Sequence, residues 1–131
     1  MKRLIQTRTH EDGSEKDNCF ATAIACLMDY DDPEDVWQMQ EHYPSDTDKR
    51  EASWVLVVSK WLEDRGYEWL LLPGHLDGDD LYLVSGETIR GTYHVCIYQN
   101  GELYHDPHPS GLGLETEDSF EMIRKLEQIL Q

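Results

Sequence analysis

Three residues of this chain, far apart in sequence, have the types needed to break an amide bond: Cys19, His94 and Asp106. A thiol attacks a carbonyl. An imidazole takes the thiol proton near neutral pH. A carboxylate holds the imidazole in one tautomer and stabilises it once charged. Cys19 opens the run Cys19-Phe20-Ala21-Thr22-Ala23-Ile24-Ala25-Cys26-Leu27-Met28, in which Phe20, Ala23, Ile24 and Leu27 recur at helical spacing. Asn18 stands at the N-cap, where its side-chain oxygen is expected to take an orphan amide of the first turn. A thiol in that turn sits at the positive end of the helix dipole, which favours the thiolate. The commoner fate of a free cysteine on an apolar helix is plain burial.

His94 and Asp106 belong to the most legible hairpin of the chain. Tyr93-His94-Val95-Cys96-Ile97-Tyr98 and Glu102-Leu103-Tyr104-His105-Asp106 flank Gln99-Asn100-Gly101, and Asn-Gly is a strong hairpin signal. Two registers follow. A two-residue turn pairs Gln99 with Glu102 and sets His94 against Pro107. A three-residue loop with a bulge at Gly101 pairs Tyr98 with Glu102 and sets His94 opposite Asp106 on one face, with Cβ atoms about 5 Å apart.

The elements around these residues can be read in order. Residues 4–9 form a brief strand or extended lead-in, and 10–17 a polar loop. The Cys19 helix ends near Asp29 or Tyr30. Asp32-Pro33 caps a second helix through Val36, Trp37 and Met39 that stops before Pro44. A third helix runs from about Asp48 to Arg65, with Trp54, Val57, Val58, Trp61 and Leu62 as its buried stripe and Gly66 as its C′ residue. Tyr67–Leu72 and Leu81–Val84 read as strands, Ser85–Gly91 as a loop or irregular strand, and Ser110–Leu114 as a glycine-rich loop. Thr116–Leu130 reads as a last helix, with Phe120, Ile123, Leu126, Ile129 and Leu130 on one side. Helices first and strands after predict an α+β fold with an antiparallel sheet, in a single domain over residues 1–131.

Eleven Lys and Arg against 27 Asp and Glu give a net charge of −16. That argues against a phosphate backbone as partner, so no nucleic acid is expected. It permits a cationic protein partner, or only a well-solvated surface. No apolar run approaches a membrane span and no signal-peptide pattern is visible, so no membrane association is expected. Three cysteines make no disulfide framework. Cys19 and Cys26 would be about 10 Å apart on one helix, too far to bridge. A reducing cytoplasm fits this usage. Cys26 and Cys96 are expected to pack as small hydrophobes. His94, Cys96, His105, Asp106 and His108 crowd one hairpin, but lack a second ligand pair of zinc-like spacing. Asp77–Asp80 lacks the twelve-residue calcium pattern. No metal and no cofactor are therefore expected. Nothing in the sequence sets the oligomeric state.

At this point the blocks Asn18-Cys19-Phe20-Ala21-Thr22-Ala23-Ile24-Ala25-Cys26-Leu27, His94-Val95-Cys96-Ile97-Tyr98 and Gly101-Glu102-Leu103-Tyr104-His105-Asp106-Pro107-His108-Pro109-Ser110-Gly111 resemble small papain-like cysteine peptidases. The resemblance is nearest to uncharacterised phage and bacterial proteins, and more distant to the peptidases that cleave double-glycine leaders from bacteriocins. It implies an N-terminal helical layer on a small antiparallel sheet, with Cys19, His94 and Asp106 as nucleophile, base and orienter, acting on a peptide or isopeptide bond of a protein or peptide substrate. It also implies a glutamine shortly before the cysteine, whose amide helps form the oxyanion hole beside the Cys19 N–H. Gly13 stands six residues before Cys19, and the upstream glutamine is Gln6, thirteen residues back. The loop 10–17 would then be an insertion that leaves Gln6 beside the site. A hole with one donor loses roughly 3 kcal/mol of stabilisation. The competing expectation is an acidic, non-catalytic binding or inhibitor protein on the same scaffold.

Overall fold

The computed structural model describes residues 1–9, 17–42 and 52–126. Helix α1 spans Cys19–Leu27 and α2 spans Ala52–Glu63. Five strands follow: β1 (Tyr67–Leu72), β2 (Leu81–Glu87), β3 (Tyr93–Gln99), β4 (Glu102–His105) and β5 (Ser119–Lys125). They form one antiparallel sheet in the order β1-β5-β2-β3-β4. The α+β class expected from the sequence is the class observed.

Strand alternation splits the sheet into two apolar faces. Leu83, Val95, Ile97 and Ile123 face the helices and bury Phe20, Ala23, Ile24 and Val58. Phe20 meets Trp69 of β1 with ring centroids 5.5 Å apart. The other face carries Tyr82, Val84, Cys96 and Tyr98, packed with Leu72, Leu76, Leu114, Phe120 and Met122. Among the described residues no helix is long and apolar enough to cross a membrane.

Two expected helices are corrected. The last is strand β5. Phe120 and Met122 lie on one face and Ile123 on the other, a period of two. The strand fills the slot between β1 and β2, where Trp69 pairs with Ile123 and Val84 with Phe120. Ladder bonds to two neighbours outweigh the local preference for a helix. Ile129 and Leu130 lie outside the described residues. The second helix is instead two 3₁₀ turns, Pro33–Asp35 and Met39–His42. Asp32 does cap the first by accepting from Glu34 N. The Gln38 amide then donates to Pro33 O and Val36 O at 2.8 and 2.7 Å, taking carbonyls that a continuing helix would use. In α2, Val58 and Leu62 are buried as expected, but Val57 is exposed. Residues 44–51 and the Trp54 side chain lie outside the described residues.

The hairpin follows neither expected register throughout. Asn100 and Gly101 both have positive φ, 53° and 81°, as a two-residue type I′ turn requires. Gln99 pairs with Glu102 and Tyr98 with Leu103, but Ile97 pairs with His105. Tyr104 is therefore the extra residue of a bulge. The ladder stops at His105, so Asp106 lies in the chain just beyond β4.

Residues 1–9 run as an extended segment between α1 and the hairpin, without a strand. His105 Nε2 donates to Leu4 O at 2.6 Å. Gln6 N donates to Pro107 O at 2.8 Å.

Candidate active site

Asn18 is fully buried and fixes where α1 begins. It occupies the N-cap position, but its side chain caps no amide of the helix, contrary to expectation. Its Oδ1 accepts from Arg8 N at 3.0 Å, and its Nδ2 donates to Thr7 Oγ1 and Gln38 Oε1. The residue bolts the lead-in and the link between the two 3₁₀ turns to the first turn of α1. Arg8 extends the clamp through ion pairs to Glu34 at 2.7 Å and Glu41 at 2.6 Å.

His94 and Asp106 are buried together, their side chains 1% and 2% exposed. His94 Nε2 meets Asp106 Oδ1 at 2.6 Å. The same Oδ1 accepts from His108 N at 2.9 Å, and Oδ2 accepts from Gly113 N at 2.8 Å. Burial by itself would raise the Asp106 carboxyl. The bond from His94 and the two backbone N–H groups override it and hold the carboxyl well below the usual range. The carboxylate is thus charged at neutral pH and fixed by groups that cannot follow a rotation of its side chain. With Nε2 engaged, Nδ1 is the ring nitrogen left to take a proton. The His108 ring stands edge-on to His94, centroids 6.0 Å apart.

Cys19 completes the arrangement. Its Sγ, a ring nitrogen of His94 and a carboxylate oxygen of Asp17 all lie within 4.8 Å of one another. The structure therefore brings Cys19, His94 and Asp106 together. It also brings in Asp17, the last residue of the polar loop expected over 10–17. Its one sequence signal was a carboxylate two residues before the nucleophile.

Asp17 changes the thiol. Burial is the main cause that pushes the Cys19 thiol well up, and the neighbouring Asp17 carboxylate adds to it. A hydrogen bond from the Val95 backbone acts the other way and does not prevail. The expectation that the helix dipole favours a resting thiolate is thus corrected, because desolvation and a like charge outweigh it. Both causes favour the protonated thiol over the thiolate. Asp17→Asn removes one raising cause. In metal-free protein it is expected to increase the rate of Cys19 alkylation at pH 7 severalfold. Peptide mapping after iodoacetamide treatment would read this, and an unchanged rate would show that burial alone sets the thiol.

Gln6 is buried, and it lies between the loop that carries Asp106 and the turn that carries Cys19. Its Nε2 donates to Arg8 O at 2.8 Å, the carbonyl that also accepts Asn18 N at 3.2 Å. One N–H of the amide is thereby used. Its Oε1 is buried with no hydrogen-bond partner among the described residues.

The other candidates fall where their chemistry sends them. All three cysteines are free. Cys26 is buried and contacts the backbone of Leu4. Cys96 is buried too, and burial followed by the Asp106 carboxylate pushes its thiol far up. It is more than core packing, since its sulfur lies within 4.8 Å of a carboxylate oxygen of Asp106. His105 turns away to Leu4. Comparison of the chain with known protein families, curated proteins and solved structures finds no match in any of the three.

Proposed function

We propose that this chain is a cysteine hydrolase with a papain-like set of nucleophile, base and orienting acid, acting on an amide bond of a peptide or protein. One observation carries the reading. Cys19 from the first turn of α1, His94 from β3 and Asp106 from just past β4 converge on one point, and His94 is already fixed by Asp106 at 2.6 Å. Two helices on one face of an antiparallel sheet suit the same reading.

The steps follow from that geometry. His94 Nδ1 accepts the Cys19 proton as sulfur attacks the substrate carbonyl. Asp106 stabilises the imidazolium that forms. The Cys19 N–H and the second N–H of the Gln6 amide would receive the oxyanion. The imidazolium then gives its proton to the leaving amine, and water, activated by the same imidazole, releases the acyl group from sulfur. No cofactor enters these steps. Isopeptide cleavage, deamidation and transamidation would use the same atoms.

The test is the rate of Cys19 alkylation at pH 7 in wild-type and His94→Gln protein, both metal-free. Glutamine keeps a donor for Asp106 and lacks a base. The expected result is a fall of at least about tenfold, at the low end of what a positioned base contributes. A rate indifferent to His94 would sink the catalytic pair and favour a binding protein that works through its acidic surface.

A further inference from the structure

We infer that Asp17, Cys19 and His94 form a binding site for a thiophilic divalent cation, Zn²⁺ above all, which when filled ties up the nucleophile and the base together. The ligand atoms are a sulfur, an imidazole nitrogen and a carboxylate oxygen, mutually within 4.8 Å. That set is borderline-soft and suits zinc rather than calcium or magnesium, which take oxygen. Around a tetrahedral zinc such atoms stand roughly 3.3–3.6 Å apart. The three side chains need to close by little more than about 1 Å to reach it, a side-chain adjustment rather than a refolding.

Three further observations support the site. His94 gives its Nε2 to Asp106, the outer partner that commonly orients a metal-binding histidine and frees its other nitrogen. Asp17 is partly exposed, so an ion can reach the site from its side. Asp17 also has no part in the hydrolytic steps, yet its carboxylate lies beside the Cys19 sulfur. Beside a dication the same two anionic groups are held rather than opposed. A second triplet, His94, Cys96 and Asp106, also lies within 4.8 Å. It is closed: all three are buried, and Asp106 already spends its oxygens on His94, His108 N and Gly113 N.

When the ion binds, a Zn–S bond forms and the Cys19 thiol proton passes to solvent. His94 Nδ1 places its lone pair on the metal and no longer accepts a proton. The ion is thus a reversible off-switch. Binding stands on the ligands alone; only its consequence for catalysis rests on the hydrolase reading.

The test uses Co²⁺ and Zn²⁺ on the full chain. Co²⁺ should produce a thiolate-to-cobalt charge-transfer band, which Zn²⁺ abolishes by displacement and a large excess of Ca²⁺ or Mg²⁺ does not. Cys19→Ser should lose the band, Cys26→Ser should keep it, and His94→Gln should weaken binding about 100-fold or more. Asp17→Asn should also weaken binding, since a ligand is lost. Unchanged or tighter binding in that variant would overturn the three-ligand site. So would a band that survives in Cys19→Ser. In unmodified protein, Zn²⁺ should protect Cys19 from iodoacetamide, as located by peptide mapping. Absence of both band and protection would refute the cation site while leaving the hydrolase reading to its own His94→Gln test.

Discussion

An Asp106→Ala protein is expected to lose about 3–5 kcal/mol of stability, the cost of breaking a buried pair by removing one member. Asp106 accepts hydrogen bonds from His94 Nε2, His108 N and Gly113 N, and all of these bonds are buried. Alanine supplies no acceptor, and the enclosed site offers water little room to replace one. The sign of the pH dependence follows from the depressed carboxyl. In the unfolded chain the group titrates near 3.9. In the folded protein it titrates well below that. Its contribution is therefore complete above the unfolded value and is lost as pH falls through that value toward the folded one. Urea unfolding from pH 7 down to pH 2 would show wild type losing stability steeply below about pH 4, with a shallower acid slope in Asp106→Ala. Glu117, lowered by His75 and Tyr98, adds an acid loss of the same sign that the variant retains. Equal acid slopes, or a stability loss under about 1 kcal/mol, would mean that Asp106 does not organise this corner of the fold.

How much of this corner could be read from the sequence depends on the range of the cause. The start of α1 was legible because apolar periodicity is local, and so was the Asn-Gly turn, whose left-handed φ values those two residues accept cheaply. The pairing of His94 with Asp106 was reached through a three-residue loop that does not occur. The fold makes the same pair with a two-residue turn, a bulge at Tyr104 and a carboxylate reaching back from beyond the strand. A bulge is set by what the strand must meet, here the extended residues 1–9, and not by its own composition. Strand β5 shows the same limit. Phe120 and Ile123 are three apart and suggest a helix, while the alternation of Phe120 with Met122 is short enough to pass for chance. The vacancy between β1 and β2 decides between them, and only the assembled sheet contains that vacancy.

Asp17 was missed for a different reason. Its neighbours from 10 to 16 are polar and carry no core signal, so it was grouped with them. Its place in the site arises from proximity to His94, a residue 77 positions later. Asn18 was assigned the correct position with the wrong task. An asparagine before a helix usually caps it, but here Arg8 N and Gln38 compete successfully for the same side chain. Those two partners come from either side of the turn, and no local pattern announces them.

Gly86→Ala is expected to destabilise the protein by about 3 kcal/mol, the upper end of ordinary overpacking. Gly86 stands in β2 directly across from His94. A Cβ there would lie 1.9 Å from Thr116 O and 2.7 Å from its carbonyl carbon. Those are backbone atoms, and the segment holding them is laced down on both sides of the glycine. Glu115 N donates to Glu87 O at 2.7 Å, Thr116 Oγ1 accepts from Glu87 N at 2.8 Å, and Asp118 N donates to Ser85 O at 2.8 Å. Relief of the clash must break some of these bonds or push the whole segment outward. Gly113, whose N–H holds Asp106 Oδ2, lies two residues before Glu115. The added methyl therefore reaches the candidate triad through Thr116, Gly113 and Asp106, although the atoms it meets first all belong to Thr116. Two readouts follow. The urea midpoint should fall with little change in slope. The Asp106 carboxyl, having lost or lengthened one hydrogen bond, should titrate at higher pH by carbon-detected NMR. Gly74→Ala, where a Cβ meets nothing within 4 Å, serves as the control and should stay within about 0.5 kcal/mol of wild type. A Gly86→Ala protein as stable as that control would mean that the 115–118 segment yields freely, and that Asp106 does not depend on it for its position.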